Sequence, residues 1–157
     1  METCEKSEKE KLCEAKNMIK NYTLMSAGAG LVPIPLVDMV ALTGLQLKLL
    51  AGISRIYNVK FSKSIGKSII GSLLGGFLPV SVSTPFGSLI KSIPVIGQTV
   101  GAVSMSLLGG ATTYAIGKVF LQHFASGGTF LDFDPEKVRT YFAEQFQEGK
   151  KVSSDLV

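Results

Sequence analysis

The sequence predicts an all-α protein built around a central glycine-rich, hydrophobic helical hairpin that is inserted in a membrane. The 157 residues are 46% hydrophobic and only 18% charged, and the mean hydropathy is +0.34. Two stretches, residues 68–90 and 92–117, carry no charged side chain, and each reaches the roughly 20 residues that a helix needs to cross a bilayer. Signals for helix starts and stops recur along the rest of the chain. This composition excludes a disordered chain, and two cysteines are too few for a disulfide scaffold.

Charge divides the chain into three zones. Residues 1–20 balance five glutamates with five lysines, residues 21–123 carry a net charge of +6, and residues 124–157 carry −2. The basic residues of the middle zone are scattered and are not clustered with aromatic side chains, so nucleic acid is not an expected partner. The predicted parts are a charged N-terminal helix over 1–22, a hydrophobic helical core over 23–128, and a loop with an amphipathic C-terminal helix over 129–157.

Local signals predict the first two helices. Glutamates and lysines at helical spacing, with a thin apolar stripe, predict an exposed helix from Glu2 to about Tyr22. After a small-residue break, Pro33 and Pro35 indicate that a second helix starts near Pro35. That helix is expected to run to about Tyr57.

Asp38 is the only acidic residue of the middle zone. It lies in the first turn of the second helix, where a carboxylate favours the positive end of the helix dipole. The alternative is a buried polar role, with Gln46, Lys48 or another protein as the partner. Asp38 and Gln46 are therefore the predicted buried polar residues.

The hairpin is predicted over about 62–90 and 92–121. Its first helix begins near Phe61–Ser62 and runs toward Pro79, a turn follows over Val80–Gly87, and Ser92 with Pro94 starts the second helix. Small residues recur at four-residue steps on both helices, and such stripes let helix backbones approach closely. The predicted helix-packing residues are Gly71, Gly75, Gly97 and Gly101, and Ala111 and Ala115 continue the stripe of the second helix.

The C-terminal region carries the clearest punctuation. Gly127–Gly128 ends the long helix, and Asp134 followed by Pro135 predicts a helix N-cap and first turn. The last helix is amphipathic, and its apolar face is expected to pack on its own domain, with receipt of a partner helix as the alternative. Gly149 and the polar residues after it predict a frayed end. The face consists of Val138, Tyr141, Phe142, Gln145 and Phe146.

No catalytic, cofactor-binding or metal-binding constellation is predicted. Ser64–Ser68 contains the letters GKS, but a phosphate-binding loop needs a glycine where Phe61 stands. His123 is the only histidine and is expected to serve at a helix end. The acids around Asp132 do not have the glycine and glutamate spacing of a calcium loop. We therefore expect the protein not to be an enzyme.

Two runs of sequence carry a family resemblance. The Pro-x-Pro-x-x-Asp segment at Pro33–Asp38, followed by Gln46, and the run from Thr113 to Phe130 together resemble the bacterial YcjF/GTPase-associated domain family, a domain of unknown function. The resemblance covers roughly Tyr22 to Lys151. It implies a membrane protein or a module that works with a small Ras/Era-like GTPase. This chain lacks a GTPase domain of its own, so the GTPase would be a separate protein.

The expected function is that of a membrane-associated, non-enzymatic helical module that serves as an adaptor or anchor for such a GTPase. The expected partners are membrane lipid and the GTPase, and self-association stays open. The resemblance implies a bacterial inner-membrane location. Basic residues flanking the hairpin predict that both termini are in the cytoplasm and that the Val80–Lys91 region is outside. The alternatives are a soluble all-α protein-interaction module and a membrane-remodelling or pore-type protein.

Overall fold

The computed structural model describes the backbone of residues 7–29, 35–82 and 97–156, and the side chains of residues 7–29, 40–76 and 106–155. Within these ranges the chain forms five α-helices and no strand, which confirms the all-α prediction. The helices are α1 (Glu8–Ala29), α2 (Pro35–Ile56), α3 (Lys63–Val82), α4 (Gly97–Ala125) and α5 (Arg139–Leu156).

Helix α1 begins with a capping box and ends later than predicted. The Glu10 amide donates to Ser7 Oγ at 3.3 Å, and the Ser7 amide donates to Glu10 Oε2 at 3.1 Å, so two amide groups at the helix start are satisfied reciprocally. The helix continues beyond Tyr22 to Ala29. It does so because the small residues of its last two turns are buried against other helices, and that burial offsets their modest helix propensity.

Helices α2 and α4 both end in Schellman motifs. After α2, Asn58 has a φ of 56°, and the amide of Val59 donates to the carbonyl of Ser54 at 2.7 Å. After α4, Gly127 has a φ of 85°, and the amide of Gly128 donates to the carbonyl of His123 at 2.9 Å. Helix α2 begins at Pro35, and α4 ends just before Gly127–Gly128, so both of these predictions are confirmed.

The hairpin prediction is only partly covered by the structure. Helix α3 starts at Lys63 and continues past Pro79 to Val82, so residues 80–82 are helical and do not form the predicted turn. The rest of that turn, the predicted cap at Ser92 and residue Ser83 lie outside the described residues.

Helix α5 differs from its prediction at both ends. Asp134 Oδ1 accepts a hydrogen bond from the amide of Glu136 at 3.0 Å, as the predicted cap would, but residues 135–138 form turns and the α-helix begins at Arg139. At the other end the helix passes through Gly149 and continues to Leu156, so the frayed end predicted from Gly149 is wrong. Phe142 and Phe146 are both 1% exposed, which confirms that the apolar face of this helix packs on its own domain.

Contacts made by glycines at different heights along α4 give the directions in which the helices run. Gly117 of α4 faces Ile19 of α1 and Leu49 of α2, whereas Gly109, two turns earlier, faces Ser26 and Leu42. Helices α2 and α4 therefore run parallel to each other, and α1 runs antiparallel to both. Helix α5 packs antiparallel along α4, since residue 149 faces Ala111 and Tyr114 and residue 153 faces Gly110. Helix α3 contacts α2 near Gly66 and reaches Arg139 of α5 at Gly76.

The apolar core follows this arrangement and ends in a group of aromatic rings at the C-terminal end of α4. The ring of Phe120 stacks on Phe133 at 4.6 Å between centroids, and Phe124 and Phe130 pack against it at tilted angles. Phe61 packs edge-on against Phe130. These rings attach the loop between α4 and α5 to the helices.

Candidate functional site

A seam of buried polar side chains joins α1, α2 and α4. Gln46 Nε2 donates to Thr112 Oγ1 and Thr113 Oγ1, each at 3.4 Å, and Thr113 Oγ1 donates to Ser26 Oγ at 2.9 Å. About two turns earlier on α4, the Ser106 hydroxyl donates to the carbonyl oxygen of Ala27. These five residues, Ser26, Gln46, Ser106, Thr112 and Thr113, are at most 5% exposed and are called the polar seam below.

The polar seam is incompletely satisfied. Within the described residues, Gln46 Oε1 has no hydrogen-bond partner, although its residue is 1% exposed. A buried polar group without a hydrogen-bond partner costs free energy, so the unpartnered Gln46 Oε1 lowers the stability of the folded protein. The seam contains hydroxyl and carboxamide groups only, so it can fix the relative position of three helices, but it has no group that transfers a proton near neutral pH.

Gln46→Leu is expected to leave the free energy of unfolding within about 1 kcal/mol of the wild type or to raise it. The substitution removes the Oε1 acceptor, which has no partner, and the two long hydrogen bonds that Nε2 donates at 3.4 Å. It keeps much of the side-chain volume. Urea titration followed by circular dichroism measures the difference. Thr113→Val is the matched control, because it deletes the shorter 2.9 Å bond and leaves Ser26 buried, and it should cost more. A loss of more than about 2 kcal/mol in Gln46→Leu would contradict this account of the seam.

Four glycines bring helix backbones close together around the seam. A Cβ at Gly149 would lie 2.9 Å from the carbonyl oxygen of Ala111 and 2.9 Å from Tyr114 Cβ. A Cβ at Gly109 would lie 3.2 Å from the carbonyl oxygen of Ser26, and one at Gly117 would lie 2.7 Å from the Ile19 side chain. A Cβ at Gly110 would overlap the side chain of Ser153. A side chain at Gly149 would therefore displace the α4 backbone, whereas at Gly110 and Gly117 it would displace a neighbouring side chain.

The glycines singled out from the sequence are placed elsewhere. Gly71 and Gly75 lie on an exposed part of α3, and no atom comes within 4 Å of a Cβ built on either. Gly97 and Gly101 lie in the first turns of α4, where the surroundings are outside the described side chains. A role for these four glycines in packing hence stays a prediction. Ala111 and Ala115, further along the same stripe, are fully buried.

The two predicted buried polar residues have different outcomes. Gln46 is buried in the polar seam. Asp38 lies in the first turn of α2, and its side chain is outside the described residues. The described partners of Gln46 are hydroxyl groups of α4, which lie 66 and 67 residues away in the sequence.

His123 serves at a helix end, as predicted. Its Nε2 lies 2.8 Å from the carbonyl oxygen of Thr129 and 3.4 Å from Asp132 Oδ1. The backbone amide and the hydroxyl of Thr129 both donate to Asp132, and they lower the pKa of that carboxyl group. Residues 7–29, 35–82 and 97–156 contain no group of three or more potential metal ligands.

At one end of the bundle, α1, α2 and α4 expose large apolar side chains. The last turns of α5, with the exposed residues Lys150, Lys151 and Asp155, lie at the same level. Leu24 and Met25 near the end of α1 are 48% and 53% exposed, Val40 in the second turn of α2 is 75% exposed, and Leu108 of α4 is 37% exposed. Residues 21–47 contain one charged side chain, that of Asp38, and residues 92–117 contain none. These four residues, Leu24, Met25, Val40 and Leu108, are called the apolar end.

None of the helices within the three described ranges combines the length and the apolarity needed to cross a bilayer.

Comparison with known proteins places the chain in a family. Residues 3–151 match the family described as domain of unknown function DUF697. The chain belongs to the DUF697 family. A relative named magnetosome membrane protein 22, from Magnetospirillum gryphiswaldense, is 39% identical over 143 residues, which cover 90% of this chain and 73% of the relative. No solved structure matches the chain significantly.

For this DUF697 chain, sequence reasoning found one member of the polar seam and missed the rest. Gln46 stands out as a polar residue in an apolar helix, but the serines and threonines of α1 and α4 are common in helices of every environment. The buried glycines were missed for a similar reason, since the chain contains 17 glycines and only the packing distinguishes those that face a helix. The apolar end gave a partial signal in the charge-free stretch over 92–117.

Proposed function

We propose that this protein is a non-enzymatic helical module that attaches to a membrane through its apolar end. The observation that carries the proposal is the exposure of Leu24, Met25, Val40 and Leu108 at one end of the bundle, where α1, α2 and α4 carry few charges. Transfer of about half of each side chain from water to lipid is favourable by roughly 1 kcal/mol per residue. Four such residues at one end give a sizeable and directional affinity for an apolar phase.

The distribution of charge supports the same orientation. Three ion pairs lie toward the opposite end, in the first turns of α1 and in or beside the loop between α4 and α5. They are Lys11–Glu8, Lys137–Asp134 and Arg139–Glu136. A bundle whose α1, α2 and α4 expose apolar side chains at one end and whose ion pairs lie at the other has a preferred orientation at a membrane surface, with the ion-paired end in water. The name of the relative from Magnetospirillum gryphiswaldense describes a membrane protein, which agrees with this proposal.

Vesicle flotation tests the attachment. We expect the wild-type protein to float with phosphatidylcholine vesicles and the triple variant Leu24→Gln, Met25→Gln, Val40→Gln to lose on the order of 10- to 100-fold in partition, because each substitution removes apolar area from the end that enters lipid. The double variant Leu12→Gln, Leu131→Gln is the matched control, since both residues are exposed and distant from the apolar end. If the wild type does not float, or if the control loses as much as the triple variant, the proposal fails.

The finer form of the proposal is a hairpin that spans a bacterial inner membrane, with both termini in the cytoplasm. It is supported by the two charge-free stretches, 68–90 and 92–117, and by the basic residues that flank them. Alkaline carbonate washing of membranes distinguishes the two forms. Retention in the pellet supports the spanning hairpin, and release supports attachment by the apolar end alone.

The adaptor role for a separate small GTPase is a further part of the proposal. It is supported by the resemblance to GTPase-associated domains and by the outer face of α1, where Glu10, Leu12 and Asn17 are exposed. Deletion of residues 1–20 is a poor test, because Ala15 and Ile19 are buried in the core. Photo-cross-linking from position 10 or 17 in intact cells is preferable, and the adaptor role fails if no GTP-binding protein is captured there.

A further inference from the structure

An open groove of about 510 Å³ runs between α1, α4 and the last turns of α5. Its rim carries three lysines, Lys16 and Lys20 from α1 and Lys118 from α4. Its floor is formed by apolar and aromatic side chains, Ile19 and Tyr114, and Asp155 is the acidic residue that lines it. Neither the apolar end nor the polar seam includes any of these residues.

The groove has an excess of positive charge. Lys16 and Lys20 are one helical turn apart and therefore project on the same face of α1. No ion pair between these three lysines and any residue in the described part of the chain is present. The ammonium group of Lys118 lies 5.7 Å from the centre of the Tyr114 ring. Glu148 accepts a hydrogen bond from the Tyr114 hydroxyl at 2.8 Å.

The Tyr114 hydroxyl adds a neutral donor to this environment. Burial, followed by the hydrogen bond to Glu148, raises its pKa, so the hydroxyl stays protonated near neutral pH. A groove with three ammonium groups, one lining carboxylate and an aromatic wall is complementary to a ligand with a negative head and an apolar body.

The position of the groove relative to the apolar end identifies the ligand class. Lys20 precedes Leu24 by one turn, which is about 6 Å along α1, and Lys16 lies about 12 Å from it. The headgroup layer on each side of a bilayer is roughly 5–8 Å thick, and lysine side chains extend along their stems toward charged surfaces. When the apolar end enters the hydrocarbon, Lys20 is therefore at the depth of the lipid headgroups. Lys16 and Lys118 lie at or beyond the outer edge of the headgroup layer, within the distance over which an anionic surface attracts an ammonium group.

We propose that this groove binds the phosphate headgroup of an anionic phospholipid while the apolar end is inserted in the acyl region. The inference rests on the proposed membrane attachment and adds a lipid preference to it. Lipid phosphate is the source to which the geometry points, because the groove and the apolar end contact the same membrane surface in one orientation.

Flotation with two vesicle compositions tests the preference. We expect wild-type protein to bind vesicles of 70% phosphatidylcholine and 30% phosphatidylglycerol more tightly than vesicles of phosphatidylcholine alone. The triple variant Lys16→Gln, Lys20→Gln, Lys118→Gln should lose on the order of 10- to 100-fold on the anionic vesicles, because each lysine near an anionic surface contributes about fivefold. Its binding to phosphatidylcholine vesicles should be unchanged.

The matched control has the same change in net charge at the other end of the bundle. Lys9, Lys60 and Lys137 are exposed, and their replacement by glutamine should reduce anionic binding much less. Equal losses in the two triple variants would show a general charge effect and overturn the groove as a site. If neither composition is bound by the wild type, membrane attachment itself fails, which distinguishes the two proposals.

Two further measurements keep the inference falsifiable. Asp155→Asn removes the lining carboxylate and should increase affinity for anionic vesicles by up to about fivefold. Inorganic phosphate and glycerophosphate, titrated at constant ionic strength, should not displace the protein from anionic vesicles at millimolar concentration. Displacement by either would assign the groove to a free phosphate compound, and an unchanged or lower affinity of Asp155→Asn would contradict the role of the groove.

Discussion

Gly149→Leu is expected to lower the free energy of unfolding by about 3 kcal/mol or more, whereas Gly71→Leu should change it by less than about 1 kcal/mol. The difference follows from what surrounds each position. At Gly149 even a Cβ would lie 2.9 Å from the carbonyl oxygen of Ala111, which belongs to a helix backbone and cannot rotate away. At Gly71 no atom of a neighbouring element lies within 4 Å of a Cβ built on the backbone. Urea titration followed by circular dichroism measures both variants.

The two glycines are a matched pair, because both lie inside an α-helix and both gain helix propensity on substitution. Equal stability of the two variants would mean that α5 does not pack against α4 at Gly149. Assembly in membranes is the second measurement, and it tests the predicted helix-packing role of Gly71. If Gly71→Leu leaves stability in solution unchanged but impairs assembly in membranes, the stripe on α3 is an interface that forms only there.

Phe120→Ala is expected to cost about 3–5 kcal/mol, a large fraction of the usual stability of a single domain. Phe120 is 0% exposed, and its ring stacks on Phe133 and packs against Phe124 and Phe130. Removing it leaves a cavity between α4 and the loop that follows, and the surrounding rings can close that cavity only in part. Chemical denaturation gives the change in free energy, and limited proteolysis should show earlier cleavage within residues 126–138.

Leu131→Ala is the control for this substitution. Leu131 lies in the same loop and is 86% exposed, so its truncation should stay within about 0.5 kcal/mol of the wild type. A cost of less than about 1 kcal/mol for Phe120→Ala would show that the aromatic rings do not hold the loop to the bundle in solution.

Several elements of this DUF697 chain could be predicted from local sequence because the responsible forces act within a few residues. Proline at position 35 sets the backbone angle of a first turn, and the glycine pair at 127–128 supplies the left-handed residue that a Schellman motif requires. Asp134 accepts an amide two residues ahead. The apolar face of α5 repeats at helical spacing, so its burial at Phe142 and Phe146 could be anticipated as well.

The predictions failed where neighbours distant in sequence decide the outcome. A glycine followed by polar residues usually ends a helix, yet Gly149 lies within α5 because α4 approaches too closely for any side chain there. Helix α1 extends to Ala29 for a related reason, since Ser26 and Ala27 are covered by α4. Local propensity is a preference of at most about 1 kcal/mol per residue, and packing of this kind exceeds it.

By itself, the sequence determined the all-α class, the local helix boundaries at Pro35 and Gly127, and the segregation of charge along the chain. The tertiary structure decided which glycines face a helix, which hydroxyl groups meet Gln46, and that the charge-poor residues of α1, α2 and α4 share one end of the bundle. The physical reason is that these features depend on the relative placement of groups 66 to 87 residues apart. No local pattern of side chains encodes that placement, because it results from the simultaneous packing of all the helices.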